Sequence, residues 1–338
     1  MIDIVLTWVD GNDATWRADF EKYNTKKQTD ANNKARFRDF GTLKYVFRGI
    51  ENFMPWINTV HFVTAEHLPL WLNKECRKLN ILTHADIFLE KTHLPTFNSS
   101  AIEMNFIGIK NLADKFIIFN DDTLVLKDAD KEIFFKDELP CDFLIQNPIK
   151  GFLAPLLYPN ITWVKNISNI IKILDSEFDK STSIRNNPNT YYNDNYGLMG
   201  NLKNFIANFS KHYSFFEHYH QPQPHLKKTW EEIFLKHGRI IQETSSHKFR
   251  TSGDITQYIF RYQNLINGNF FPRYAKDFSN FNIYSKRKAR LCAKKINDKR
   301  FVCINDVPEL SEREYYICKK IILNSLEKVL PNKSMFEL

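Results

Sequence analysis

Glycine is scarce in this chain, ten residues in 338. No G-x-G-x-x-G and no G-K-[ST] element occurs, which excludes a dinucleotide-binding turn, a P-loop and ATP-type phosphate cradling. Cysteine is scarcer. The five thiols (Cys76, Cys141, Cys292, Cys303, Cys318) are odd in number and include no C-x-x-C pair. A disulfide framework and a zinc knuckle are therefore unsupported, and a reducing cytoplasm fits best. Long apolar runs are missing too. Phe116–Phe119, and Ile317–Leu323 with its two lysines, fall well short of the roughly 20 residues a spanning helix needs. The opening MIDIVLTWVDG has no basic start before a long apolar run, so no signal peptide is expected. Charge is modest: 47 Lys+Arg against 39 Asp+Glu leave +8, which does not describe a polycation. What the chain does have is 43% hydrophobic residues, with 29 Phe and 14 Tyr. That composition belongs to a folded protein and suits packed sheets and sugar-binding clefts.

Residues 1–150 alternate short apolar runs with helical patterns, from IDIVLTWV through TLKYVFRGIENF and TVHFVTA to KFIIFNDD. This is the βαβα rhythm of a mostly parallel sheet with helices on both faces. Ile2–Val9 and Phe116–Phe119 are nearly all apolar, as strands buried on both faces should be, and both run into acidic residues. Ligands of open α/β sheets sit outside the carboxyl ends of strands, which is where Asp10 and Asp121/Asp122 fall. Residues 151–338 read as a helix-rich part completing the same domain. Helices are expected at Ile167–Leu174, Leu202–Phe209, 225–237 and 253–267. The stretch NNPNTYYNDNYG is expected to be a long loop able to act as a lid. Ser311 and Glu314 predict a capping box opening a helix that Pro331 stops near Leu330.

Several constellations can carry chemistry. Asn120, Asp121 and Asp122 end an apolar strand, where paired carboxylates hold a hard divalent cation beside phosphates; a plain Asx turn is the structural alternative. Asp10 and Asp13 in TWVDGND read as a ligand-facing loop or a simple turn. Arg36, Arg38 and Asp39 in ARFRDFG, with Arg48 ten residues after Arg38, suggest a pyrophosphate clamp through bidentate contacts, against a solvated helix entrance. His220 in HYHQPQPH precedes prolines that stiffen the backbone and suits a base or nucleophile near neutral pH. Arg250 in SSHKFRTSGD joins it as a candidate. Residues 286–300 carry eight basic residues and one Asp. The run is a solvated face or, through Lys286, Arg287, Lys288, Arg290, Lys294 and Lys295, a contact with anionic lipid headgroups. No helix-turn-helix, RNP or zinc-finger pattern accompanies it, so nucleic acid is not an expected partner.

Taken in order, four blocks resemble the Stealth family of sugar-phosphate transferases, found in bacterial capsule synthesis and in the lysosomal-enzyme GlcNAc-phosphotransferase. They are IDIVLTWVDGND; RFRDFGTLKYVFRGIENFMPWINTVHFVT continuing through LPTFNSSAIEMNF to KFIIFNDD; HQPQPHLKKT with SSHKFRTSGDI; and FVCINDVPE with PNKSMFE. The resemblance covers nearly the whole chain. It implies a Rossmann-like or GT-A-like sheet and transfer of a hexose 1-phosphate from a UDP-sugar donor to a hydroxyl of a growing, lipid-linked capsular or cell-surface glycan, with release of UMP.

Carried over residue by residue, the resemblance gives Asp10, Asp13, Arg36, Arg38, Asp39, Asn98 and Asn120 substrate-binding roles. Asp121 and Asp122 become ligands of Mg²⁺ (or Mn²⁺). His220, Arg250 and Asp121 become the catalytic group, with His220 a general base or a phosphohistidine nucleophile. The absence of inserted acceptor-selecting modules favours a glycan over a protein acceptor. The implied location is the cytoplasm, peripheral to the inner face of the plasma membrane. A metal-dependent glycosyltransferase using the same donor is the competing enzyme reading.

Overall fold

The computed structural model describes residues 1–24, 37–274, 276–307 and 310–338. β1 (Ile2–Trp8) leads through α1 (Ala14–Tyr23) and α2 (Leu43–Phe53) to β2 (Val60–Thr64) and β3 (Leu79–Thr83), and α3 (Ser99–Met104) precedes β4 (Lys115–Asn120). These four strands are parallel in the spatial order β4-β1-β2-β3. Ile4 of β1 stands opposite Val60 on one side and Ile117 on the other. β4 turns directly into the short β5 (Thr123–Val125).

The second half adds α4 (Pro148–Leu157), α5 (Thr162–Glu177), α6 (Gly197–Ala207), β6 (Gln223–Leu226), α7 (Lys227–Ser246) and α8 (Tyr258–Ile266), then β7 (Phe278–Ile283), α9 (Lys286–Lys295), β8 (Phe301–Asp306) and α10 (Glu312–Val329). β6 joins the main sheet antiparallel to β4. The architecture is α/β, with a mostly parallel sheet covered on both faces.

Side chains that alternate across the strands feed two separate cores. Ile4, Leu6, Ile117 and Phe119 point into the first; Val5, Phe116 and Ile118 point into the second. α2 covers the first face because Leu43, Val46, Phe47 and Ile50 recur at helical spacing and are all buried. Its Gly49 sits so close to β5 that a Cβ there would lie 2.3 Å from the Val125 carbonyl oxygen. β5, β8 and β7 form a small sheet beyond it, backed by α9 packed on α10. The second face holds α3, α7 and α8, where the Trp230 and Phe260 rings stack at 3.7 Å.

Two expectations need correction. The helix foreseen at 225–237 begins as strand β6, because Gln223–Leu226 pairs with Ile118–Lys115 before α7 starts; Pro224 is tolerated there because β6 is an edge strand. The stretch foreseen as a lid loop forms short helical turns at Pro188–Tyr191 and Asp194–Tyr196. Tyr191 and Tyr196 are buried there, the Tyr191 hydroxyl 3.2 Å from that of Tyr213, and Tyr196 donating to the Thr190 carbonyl at 2.8 Å. Aromatic anchoring overrides the turn-rich composition. Of the expected capping box the Ser311 side-chain cap forms, its Oγ accepting from Glu314 N at 3.4 Å, while the Glu314 carboxylate accepts from the Ser311 hydroxyl at 2.9 Å.

Candidate active site

A cleft of about 830 Å³ opens beyond the carboxyl ends of β1 and β4. Its floor is formed by Thr7 to Val9 and Asn120 to Asp122; its walls come from the 37–42 segment, α3, the start of α5, the 218–223 segment, Arg250 and the end of β8. The turn carrying the carboxylates is fixed from both sides. Thr42 Oγ1 donates to the Asp121 carbonyl at 2.9 Å, and Ile304 N donates to the Asp122 carbonyl at 3.0 Å.

His220 reaches this floor from the opposite wall. Its Nε2 lies 2.9 Å from Asn120 Nδ2 and 3.4 Å from Asp122 Oδ1. When neutral, that nitrogen accepts from the amide; when protonated, it donates to the carboxylate. Burial opposes the imidazolium, but the charge and hydrogen bond of Asp122, with help from Glu103, outweigh it and raise the histidine above its usual value. Asp122 moves the other way. Burial raises it, yet His220, the Cys303 thiol and the Thr123 hydroxyl together bring it below the ordinary carboxylate value. Burial, followed by the neighbouring Asp122 and Asp39 charges, pushes Asp121 well above that value. Cys303 donates to Asp122 at 3.3 Å, and burial with that carboxylate keeps it a thiol. Asp122, His220 and Cys303 each offer a donor atom within 4.8 Å of the others.

The other expected residues divide. Arg38 lines the cleft, but its guanidinium already pairs with Asp306, donates to the carbonyls of Val307 and Leu310 at 3.1 and 3.3 Å, and lies over the Tyr315 ring. Asp39 lines the cleft and accepts from Trp8 Nε1 at 3.3 Å. Arg250 also lines it, bonded to Ser99 Oγ, and its charge faces Glu103 and His220. Asp10 and Asp13 are absent from the described lining. Asp13 caps α1 by accepting from Trp16 N at 2.8 Å, and Asp10 Oδ1 accepts from Asn12 N at 2.9 Å. Asn98 is buried; it caps α3 through Ser100 N at 3.0 Å and donates to Asp254 at 2.9 Å. Arg36 lies outside the described residues. Arg48 is no part of a clamp. Its side chain is 3% exposed and makes a bidentate pair with Glu337 at 2.8 and 2.9 Å, away from the cleft.

Sequence reasoning missed Glu103, Asp306, Cys303 and Trp163, all of them at or beside the cleft. Two had usable signals. Glu103 stands four residues after Ser99, hence on the same side of α3. Asp306 ends an apolar strand as Asp121 does. Burial raises the Glu103 carboxyl, with Arg250 opposing.

Comparison with known proteins makes the chain a phosphotransferase. It is 33% identical to the capsular polysaccharide phosphotransferase WcwK of Streptococcus pneumoniae, over 99% of this chain and 98% of that one. It is 32% identical to the exopolysaccharide phosphotransferase cps2G of Lactiplantibacillus plantarum, over 99% and 96%. Stealth protein conserved region 1 matches residues 2–28, and conserved region 2 matches residues 36–141. The chain belongs to the Stealth family. Among solved structures, the galactosyltransferase LgtC is 11% identical, with a TM-score of 0.40 over 98% of this chain and 96% of that one.

Proposed function

We propose that the protein transfers a hexose 1-phosphate from a UDP-sugar to a hydroxyl of a growing capsular or cell-surface glycan. The acceptor oxygen attacks the sugar-side phosphorus, the bond from that phosphorus to the bridging oxygen breaks, UMP leaves, and the acceptor proton passes to His220. The sugar–oxygen–phosphorus linkage is untouched, so anomeric configuration is retained. The observation that carries this reading is the His220 ring nitrogen held between Asn120 and Asp122 at the strand-end carboxylates. A base raised by a carboxylate partner and facing a cleft suits proton removal from a hydroxyl. Because the carboxylate opposes release of the proton, Asp122 also holds the imidazolium that forms.

Asp39, Asp121 and Asp122 line the same cleft and offer the oxygen donors a hard divalent cation takes. Asp121 is pushed well up because burial and the charges of Asp122 and Asp39 leave surplus negative potential there, which a dication relieves. A hard cation prefers the carboxylate oxygens over the Cys303 sulfur beside them. Asp121 and Asp122 would hold Mg²⁺ (or Mn²⁺), which supplies charge neutralisation on the donor pyrophosphate. Arg250 takes the donor phosphates from the facing wall. Arg38 acts chiefly by holding β8 and Asp306 against the cleft, and Asp10, Asp13 and Asn98 act by shaping the loops that carry the site. The reaction is assigned to the cytoplasmic side, where nucleotide-sugars are made; five buried cysteines without a disulfide are consistent with it.

The test is product analysis with purified protein, Mg²⁺, a panel of UDP-sugars and candidate oligosaccharides. UMP and a new phosphodiester are expected; UDP would overturn phosphotransfer in favour of attack at the anomeric carbon. His220→Ala should lower the rate roughly 10²–10⁴-fold while the thermal unfolding midpoint stays near that of the parent.

A further inference from the structure

Two helices are built inside out. In α4, Ile149, Phe152, Leu153, Leu156 and Leu157 recur at helical spacing, and every one is exposed, Phe152 at 70%. In α6, Leu198, Met199, Leu202, Phe205 and Ile206 do the same, and Phe209 continues the stripe; Leu198 is 88% and Phe209 79% exposed. The inward faces carry small or polar residues instead: Ala154 in α4, and Gly200, Asn204 and Ala207 in α6. A Cβ on Gly200 would lie 2.8 Å from Tyr196 Cβ, so the tight fit is on the inside. An apolar surface this continuous, on two helices that pack together, marks an interaction face.

We infer that this α4–α6 face docks the enzyme in the plane of an anionic phospholipid bilayer. The charge pattern selects that occupant. Segments 148–166 and 195–213 contain Lys150, Lys165, Lys203 and Lys211 and not one Asp or Glu. Glu217, from outside these segments, pairs with Lys203; Lys150, Lys165 and Lys211 remain beside the stripe, and an apolar stripe edged mainly by cations is the composition of an interfacial helix. At 10 and 11 residues and about 1.5 Å per residue, each helix is about half the length needed to cross the hydrocarbon core. No helix among the described residues is long and apolar enough to cross a membrane, so the helices lie in the interface. The position suits the chemistry as well. Thr162, Trp163 and Asn166, which follow α4 directly, line the cleft, and Lys150 Nζ of α4 lies 4.7 Å from the Trp163 ring centroid. A lipid-borne acceptor would thus enter beside the docked face. The basic helix α9 lies elsewhere: it packs on α10 in the core of the sheet's other face.

The experiment is co-sedimentation of the purified full chain with vesicles of phosphatidylglycerol and phosphatidylcholine in equal parts, and with phosphatidylcholine alone. The parent should partition onto the anionic vesicles. The triple variant Phe152→Ser/Leu156→Ser/Phe205→Ser should lose at least about tenfold in partitioning, with its circular dichroism and its turnover of a water-soluble acceptor unchanged. If the triple variant folds poorly, Leu198→Glu and Phe209→Glu singly should each weaken binding. A parent that ignores anionic vesicles overturns the inference, as do variants that bind like the parent, or a parental dimer that the variants convert to monomer without any lipid binding. Vesicle binding is read without any nucleotide-sugar, so it stands or fails apart from UMP release.

Discussion

α2 and α4 carry apolar stripes of the same helical period, yet one is the lid of a core and the other faces outward. In α2, Leu43, Val46, Phe47 and Ile50 enter the first core, where Ile322, Leu326 and Phe336 belong to the same cluster. In α4, Ile149, Phe152, Leu153, Leu156 and Leu157 meet nothing comparable, and Ala154 supplies the buried contact. Periodicity therefore establishes that a helix has an apolar face; what that face meets is decided by the rest of the chain. The distinguishing mark is the residues opposite: small or polar ones inside α4 and α6 leave the large ones no core to enter.

The comparison can be broken most forcefully at Arg48. Arg48→Met leaves Glu337 buried without its bidentate partner, and urea unfolding should show a loss of about 3–5 kcal/mol. Phe47→Ala empties a fully buried site between Phe62 and Phe336 and should cost about 3–5 kcal/mol by the same measurement. On the sheet's second side the expected effect is smaller and depends on pH. Burial raises Asp3, but bonds from His61 at 3.0 Å and from Asn58 and the Ala113 N–H at 2.9 Å outweigh it and hold the carboxyl below its ordinary value. That stabilisation is present above the unfolded-state value and disappears as pH falls through the depressed folded one. Asp3→Asn should therefore be less stable than the parent at pH 7, with the gap between their urea midpoints narrowing below about pH 4. The smallest effect is expected for Phe152→Ala. The same chemical change that is severe at Phe47 should stay within about 0.5 kcal/mol there. A large loss at Phe152 would mean that α4 is a core helix.

The sheet was legible because β1 and β4 are apolar on both faces and run straight into acidic residues, a pattern set by local sequence. The carboxylates at 121 and 122 followed from it, whereas His220 was picked out by its prolines and its block, and only the fold brings it to Asn120 and Asp122. Arg48 was misassigned because nothing near residue 48 reveals Glu337, its partner 289 residues on. Asn98 was placed among substrate contacts by its block, whereas its side chain caps α3. β6 was hidden by its proline and by four residues of length, too short for alternation to be visible. Glu103 and Asp306 lie inside two of the blocks and were passed over because a lone acidic residue in a helix or at a strand end does not show in the sequence which cleft it faces.

The Arg48–Glu337 contact has a meaning in time as well as in space. α2 is made well before β8, α10 and the residues that meet Arg48, Glu337 following 289 residues later. Until they arrive, a fully apolar stripe and an arginine destined for burial have no cover. Closing the first face requires contacts across most of the chain, which makes it slow and exposes the nascent protein to aggregation. The face closed by the Arg48–Glu337 pair is thus the one most dependent on help while it is being made.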